Sequence, residues 1–353
     1  MGVFTGFIIL SFYSVVGGWT IAYAVKSATG LLANGDAKTL GSVFGGFIAD
    51  PVEPIIYHAL FMAATITVVA RGVDIGIERA CRVLMPALFI LLVVLCIRSL
   101  TLPGAEKGIA FFLEPDFSKV NGAMITAALG QAFFSLSLGM GAMITYGSYL
   151  SVKVSLPNAA LWVTSLDTLI AVIAGFMILP AVFAFGFDPG AGPGLTFITL
   201  PAVFSKIPLG AFFGTLFFVL LAVAALTSAI SLLEVVVAYL VDEKGVARPK
   251  AAWGAGAVIF LLGIPSSLSL GVWSGYTIAG KSFFDIMDYL ASNIMLPAGG
   301  IFISLFAGWV VFPRLMDASQ GGIGEGFRWT GVWQIICRYV APVAITWTLI
   351  NGI

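Results

Sequence analysis

The chain has 353 residues, 60% of them hydrophobic and only 10% charged, with a mean hydropathy of +1.07. Soluble globules carry about 25% charged residues, so this composition belongs to an integral membrane protein. Seventeen basic residues balance seventeen acidic ones, which leaves no basic stripe for nucleic acid and no charged tail.

Taken in order, the chain reads as apolar segments of bilayer length separated by polar joints. The first, about Thr5 to Leu32, is too long and wrongly flanked for a signal peptide. Others follow at roughly Ile55–Ala70, Val83–Leu102, Val120–Leu150, Asn158–Phe185, Gly210–Leu240, Ala251–Leu268, Ile286–Phe312 and Trp333–Ile350. The pattern predicts an all-α, polytopic fold of about nine transmembrane helices, forming one domain over residues 1–353. If the first span leaves the cytoplasm, the inner joints hold Arg71, Arg79, Arg82, Lys153, Lys244, Arg248, Lys250, Arg314 and Arg328, against fewer basic residues outside. That is the sign the positive-inside rule asks for. Carboxylates tilt outward, among them Asp36, Asp50, Glu53 and Asp188. The cysteines Cys81, Cys96 and Cys337 are odd in number and lie in or beside apolar segments, which argues against a disulfide framework. The single histidine, His58, excludes a histidine-clustered metal site and is expected at a membrane interface.

One span is interrupted. Within Gln131–Tyr146, QAFFSLSLGMGAMITY, the centre is Ser135, Ser137, Gly139 and Gly141, residues that pack little and release backbone easily. A broken helix is tolerated in hydrocarbon only where its freed groups face protein or a water-filled cavity. Two half-helices meeting there aim dipole ends at one point, which suits a charged small solute. A glycine-kinked packing helix fits the same spacing.

Asp188–Pro208 opens with glycine and proline turns and then carries an apolar run too short to span. It predicts a helical hairpin on the outer face, either a lid or a cover for helix ends. Two carboxylates, Asp167 and Glu234, fall inside spans, where a charge is costly and usually functional. Ala224, Thr227 and Ser228 sit at i, i+3 and i+4 on one helix face. A hard cation would accept that carbonyl and those two hydroxyls as ligands, although such hydroxyls also bond back to their own helix. Gly275–Ser282, GYTIAGKS, matches the phosphate-loop pattern. It joins two membrane spans with no βαβ unit, so an enzyme acting on nucleotides is not expected.

FFSLSLGMGAMITYGSYL (Phe133–Leu150) resembles the broken sixth helix of the neurotransmitter:sodium symporter family. SVVGGWTIAYAVK (Ser14–Lys26), RSLTLPGA with LEPDFS (Arg98–Ser118), GPGLTFITLPAVF (Gly192–Phe204), ALTSAISLLEVVVAYLVDE (Ala225–Glu243) and RYVAPVAI (Arg338–Ile345) extend the resemblance over nearly the whole chain. It implies an inverted-repeat transporter in a cell membrane, of the bacterial eleven-helix type, with a site at mid-membrane. It further implies an amino acid as cargo and Na+ as the co-transported ion, with no organic cofactor. The residues matching the family's first sodium site are Ser135 and Asp167; those matching the second are Ala224, Thr227 and Ser228. Tyr13 aligns with the tyrosine that meets the substrate carboxylate and Phe134 with the aromatic lid. Ile9, Ser137, Met140 and Leu232 would line an apolar, roomy pocket suited to a hydrophobic or aromatic amino acid. Asp288 resembles the outer-gate acid and Asp242 the inner-gate acid. Gln131 matches a residue near the chloride site. Asp167 there implies that a fixed charge replaces chloride, which is then not required.

The resemblance also implies that the family's first two helices are absent. The second repeat, about 120–312, is complete and the first incomplete. An N-terminally truncated symporter that does not act alone is the favoured expectation. The alternatives are a shortened membrane component needing a partner chain, and a proton-coupled transporter using Asp167. The lipid bilayer is an expected partner, a missing N-terminal segment or a homodimer is left open, and nucleic acid is not expected.

Overall fold

α1 (Gly2–Ala28) is apolar on every face, and a helix of that kind has to be surrounded. It is: Ile9, Leu10, Val15, Trp19, Ala22 and Tyr23 are buried on different sides of it. The computed structural model describes residues 1–33, 35–151, 154–186, 192–312 and 330–352. Lys153, Asp188, Arg314 and Arg328, assigned to joints above, lie outside the described residues. Among the described residues there is no named strand, and eight helices are long and apolar enough to cross a membrane. They are α1, α3 (Glu53–Ala70), α4 (Arg79–Leu100, entered by a π turn from Val73), α8 (Leu156–Ala184), α10 (Gly210–Asp242), α11 (Arg248–Leu268), α12 (Phe283–Val311) and α13 (Gly331–Ile350). The ninth expected crossing is the pair α6 (Gly122–Ser135) and α7 (Ala142–Ser148), each too short to span singly. Three short helices lie in the joints: α2 (Ala37–Ala49), α5 (Ala105–Leu113) and α9 (Leu195–Ser205).

α1 packs most closely against α10 and then against α3 and α11. Their shared core contains Ile9, Leu10, Phe61, Ile230, Leu233 and Ile259. Two hydroxyls of α1 are satisfied locally: Ser11 donates to Ile8 O at 2.7 Å and Ser14 to Leu10 O at 2.6 Å. His58 is not interfacial, as its position suggested. It is fully buried, with Nε2 2.9 Å from Ser14 Oγ and its ring 4.6 Å from that of Phe260. Gly18 makes this possible, because a Cβ there would lie 2.6 Å from the His58 backbone nitrogen. α3 therefore meets α1 backbone to backbone and carries His58 inward.

The joints between α1 and α3 are tied down by short polar contacts. Lys26 Nζ reaches Glu53 at 2.6 Å across α1 and α3 and lies 5.0 Å from the Phe47 ring centroid on α2. Asp50 accepts the amides of Val52 and Glu53, both at 2.7 Å, just ahead of α3. The Glu53 amide first, then that of Val52, holds the Asp50 carboxyl below the usual carboxylate range. A carboxyl lowered in the folded state contributes stability that is present above its unfolded value and is lost as the pH falls through the lowered one.

α9 is the described part of the expected outer hairpin, and it is docked. Phe197 is 2% exposed, with its ring centroid 4.9 Å from Tyr23, 5.4 Å from Phe44 and 5.7 Å from Trp19. Ser205 Oγ donates to Gly35 O at 2.9 Å. The phosphate-loop match also has a local explanation. Ile278 and Lys281 pair across a tight turn in which Ala279 (φ 52°) and Gly280 (φ 75°) are left-handed. Ser282 then caps α12 through a reciprocal capping box with Asp285.

Replacing Phe197 by Ala removes the ring that joins α9 to α1 and α2. The expected loss is about 3–5 kcal/mol of stability, read as a lowered unfolding midpoint with earlier proteolysis in the joint around α9. Phe197→Leu should lose less than half as much.

Candidate functional site

The interruption between α6 and α7 is built from helix-end chemistry. The Leu138 amide donates to Phe133 O at 2.9 Å and the Ser137 amide to Phe134 O at 3.1 Å. With Ser137 at φ 55°, this is a Schellman ending in which serine occupies the left-handed position usually held by glycine. Gly139 (φ 83°) and Gly141 (φ 85°) turn the chain into α7. A Cβ on Gly139 would fall 2.2 Å from Leu296 O, and one on Gly299 would fall 2.2 Å from Gly139 O. The break is therefore seated directly on the backbone of α12.

The expected ion and substrate residues fall into three groups. Ser135, the last residue of α6, donates from Oγ to Asp167 Oδ1 on α8 at 2.6 Å. That places a hydroxyl and a carboxylate at the C-terminal, partially negative end of a half-helix, an arrangement that attracts a cation. On α10, Thr227 Oγ1 donates to Ala224 O at 2.8 Å, and Ser228 is exposed. Thr227 thus bonds back to its own helix while its oxygen keeps lone pairs for an ion. Ile9, Met140 and Leu232 are buried in one cluster, against which Tyr13 and Phe134 pack.

Other expected residues lie apart from these. Ser137 lines a separate apolar cavity of about 380 Å³, with Phe133, Gly300, Trp333 and Cys337. Asp288, Gln131 and Phe134 line an open cavity of about 400 Å³, where Ser292 Oγ donates to Asp288 Oδ1 at 2.9 Å. Phe134 is common to this cavity and the apolar cluster. Asp242 is exposed at the C-terminal end of α10.

Sequence reasoning singled out Glu234 but not its partners. Its side chain is fully buried, accepts Tyr149 Oη at 2.5 Å and is paired with Arg248. Arg248 Nε also donates to Val69 O of α3 at 3.0 Å. One turn away Tyr146 Oη donates to Ser231 Oγ at 2.8 Å. α7 therefore clasps α10 with two tyrosines at i, i+3 facing a serine and a glutamate at i, i+3. That matched spacing is the sequence signal that could have revealed the clasp.

Eight spans, an interrupted crossing and an intramembrane carboxylate fit a multi-pass membrane transporter. The model for the sodium:neurotransmitter symporter family matches residues 54–353, and the chain belongs to that family. It is 42% identical over 352 residues to a sodium-dependent transporter, YhdH, of Bacillus subtilis (strain 168), covering 99% of this chain and 78% of that one. It is 30% identical over 368 residues to a sodium-dependent transporter, MJ1319, of Methanocaldococcus jannaschii, covering 98% of this chain and 71% of that one. The crystal structure of MhsT in complex with L-phenylalanine superposes with a TM-score of 0.91 at 49% identity, over all of this chain and 80% of that one. The protein is a sodium-dependent transporter of the cell membrane and not an enzyme.

Two outcomes test this geometry. Ser137→Gly should raise stability by about 1 kcal/mol by relieving a left-handed serine, and Ser137→Val should lower it, both read from thermal unfolding in detergent. Glu234→Ala leaves the Arg248 charge unpaired and should cost about 3–5 kcal/mol. The double replacement Glu234→Leu with Arg248→Met should cost clearly less, a difference that a double-mutant cycle measures.

Proposed function

We propose that the protein drives uptake of a hydrophobic or aromatic amino acid with Na+ by alternating access. One observation carries this reading: the Ser135–Asp167 pair stands at the broken end of α6, close in sequence to Phe134 and Met140 of the apolar cluster. Ions would take the oxygens of Ser135 and Asp167 at one position and of Ala224, Thr227 and Ser228 at a second. Tyr13 would orient the substrate carboxylate, and Ile9, Met140 and Leu232 would meet its side chain. The relative crystallised with L-phenylalanine supports a cargo of that size.

Asp167 is the reason to expect no chloride requirement. A carboxylate beside a bound cation supplies the opposite charge permanently, at Coulomb energies of several kcal/mol in a low dielectric. Asp288 and Asp242, at opposite ends of the bundle, would close the outer and inner approaches in turn.

The test is uptake of radiolabelled phenylalanine into proteoliposomes holding the gene's complete product. An inward Na+ gradient at fixed pH should drive accumulation, and potassium in its place should not. Replacing chloride by gluconate should leave uptake unchanged. Asp167→Asn should raise the half-saturating Na+ concentration at least tenfold, about 1.4 kcal/mol. Accumulation that follows a pH gradient without Na+ would favour proton coupling through Asp167.

A further inference from the structure

α13 carries a positive charge that the transport site does not use. Arg338 lies eight residues past Thr330, about 12 Å along the helix axis. Helical side chains lean toward the N-terminus, so its guanidinium is directed back to the end of the bundle that carries Arg71, Arg79, Arg82 and Lys244. Nε donates to Gly308 O of α12 at 2.6 Å. With the Gln334 amide turned to present its oxygen, NH2 and NH1 donate to it at 2.6 and 2.9 Å. The rings of Trp309 and Phe312 lie 4.8 and 5.8 Å from the guanidinium carbon. These groups are all neutral. They engage three of five N–H donors, and among the described residues no carboxylate lies within ion-pair distance of Arg338.

An apolar track begins beside this charge. Trp309, stacked on the guanidinium, meets Tyr339 edge-on with ring centroids 5.6 Å apart. From Tyr339 the exposed side chains Val340, Val343 and Trp347 continue along α13 as an open apolar face. A cation near the basic membrane face, with an exposed apolar helix face leading from it into the bilayer, matches a phosphate headgroup with its acyl chain. The inner leaflet is where anionic lipids meet such basic pockets between helices. We propose that Arg338 binds the phosphate of an anionic phospholipid of the inner leaflet, with one acyl chain lying along Tyr339, Val343 and Trp347.

Native mass spectrometry of the full chain, released from detergent after incubation with mixed palmitoyl-oleoyl phosphatidylglycerol and phosphatidylcholine, tests this directly. The wild type should retain the glycerol lipid about fivefold over the choline lipid, the preference that one basic contact supplies. Arg338→Lys should keep most of that preference and Arg338→Gln should abolish it. Val343→Trp, which reshapes the apolar face and leaves the charge in place, should reduce retention and decides the matter if Arg338→Gln does not fold. A large excess of inorganic phosphate should not displace the lipid. The proposal fails if the wild type retains both lipids equally, if Arg338→Gln keeps the preference, or if Val343→Trp leaves retention unchanged. It also fails if inorganic phosphate displaces the lipid, since the site would then be one for a free anion.

Discussion

Hydrocarbon offers no hydrogen bonds, so an interrupted helix within it must rest its loose backbone on something. Here the support is another backbone. Gly139 and Gly299 come so close that neither position has room for a Cβ, and the Schellman bonds at Phe133 and Phe134 close the end of α6. Everything at the site inherits its position from that seat. Ser135 is presented to Asp167 because α6 stops where it does, and Met140 enters the core because the chain has already turned.

The helices around this seat differ in how firmly they are held. In the apolar stretch of α1, 72% of residues are buried, against 11% in α13, and α6 has no buried residue. α1, α3, α10 and α11 therefore form a packed body, while α6 and α13 touch little besides α12 and each other. α7 belongs with the packed body, since Tyr146 and Tyr149 clasp α10. The two halves of the broken crossing are thus attached to different parts of the molecule.

Much of this was legible in the chain. Spans of bilayer length are set by hydropathy alone, and the clustered serines and glycines marked the break because few other sequences release a helix there. Ala224, Thr227 and Ser228 could be grouped from local spacing, whereas Ser135 was paired with Asp167 by the family resemblance alone. What escaped depends on contacts between distant segments. The burial of His58 follows from the missing side chain at Gly18, 40 positions earlier. The partnership of Glu234 with Arg248 and Tyr149 needs three helices to converge. Ser137 was grouped with the pocket by resemblance, yet its left-handed backbone puts it on the cavity beside Trp333. The GKS string is a turn and a cap, a reminder that a motif without its strand and helix is only composition.

α12 is not a uniform α-helix: it passes through π turns at Leu290–Met295 and Phe306–Val311, and α13 has another at Ile336–Val340. Each such turn holds one residue more than an α turn. Two of them face each other, and each side supplies the other's stray carbonyl: Arg338 reaches Gly308 O, and Ser304 Oγ donates to Cys337 O at 2.8 Å. The register of the two helices is therefore interlocked by length as well as by side chains. Deleting a single residue from either π turn would rotate the remainder of that helix by roughly 100°. One polar partnership would be lost on each helix, so in this part of the chain residue number is itself under constraint.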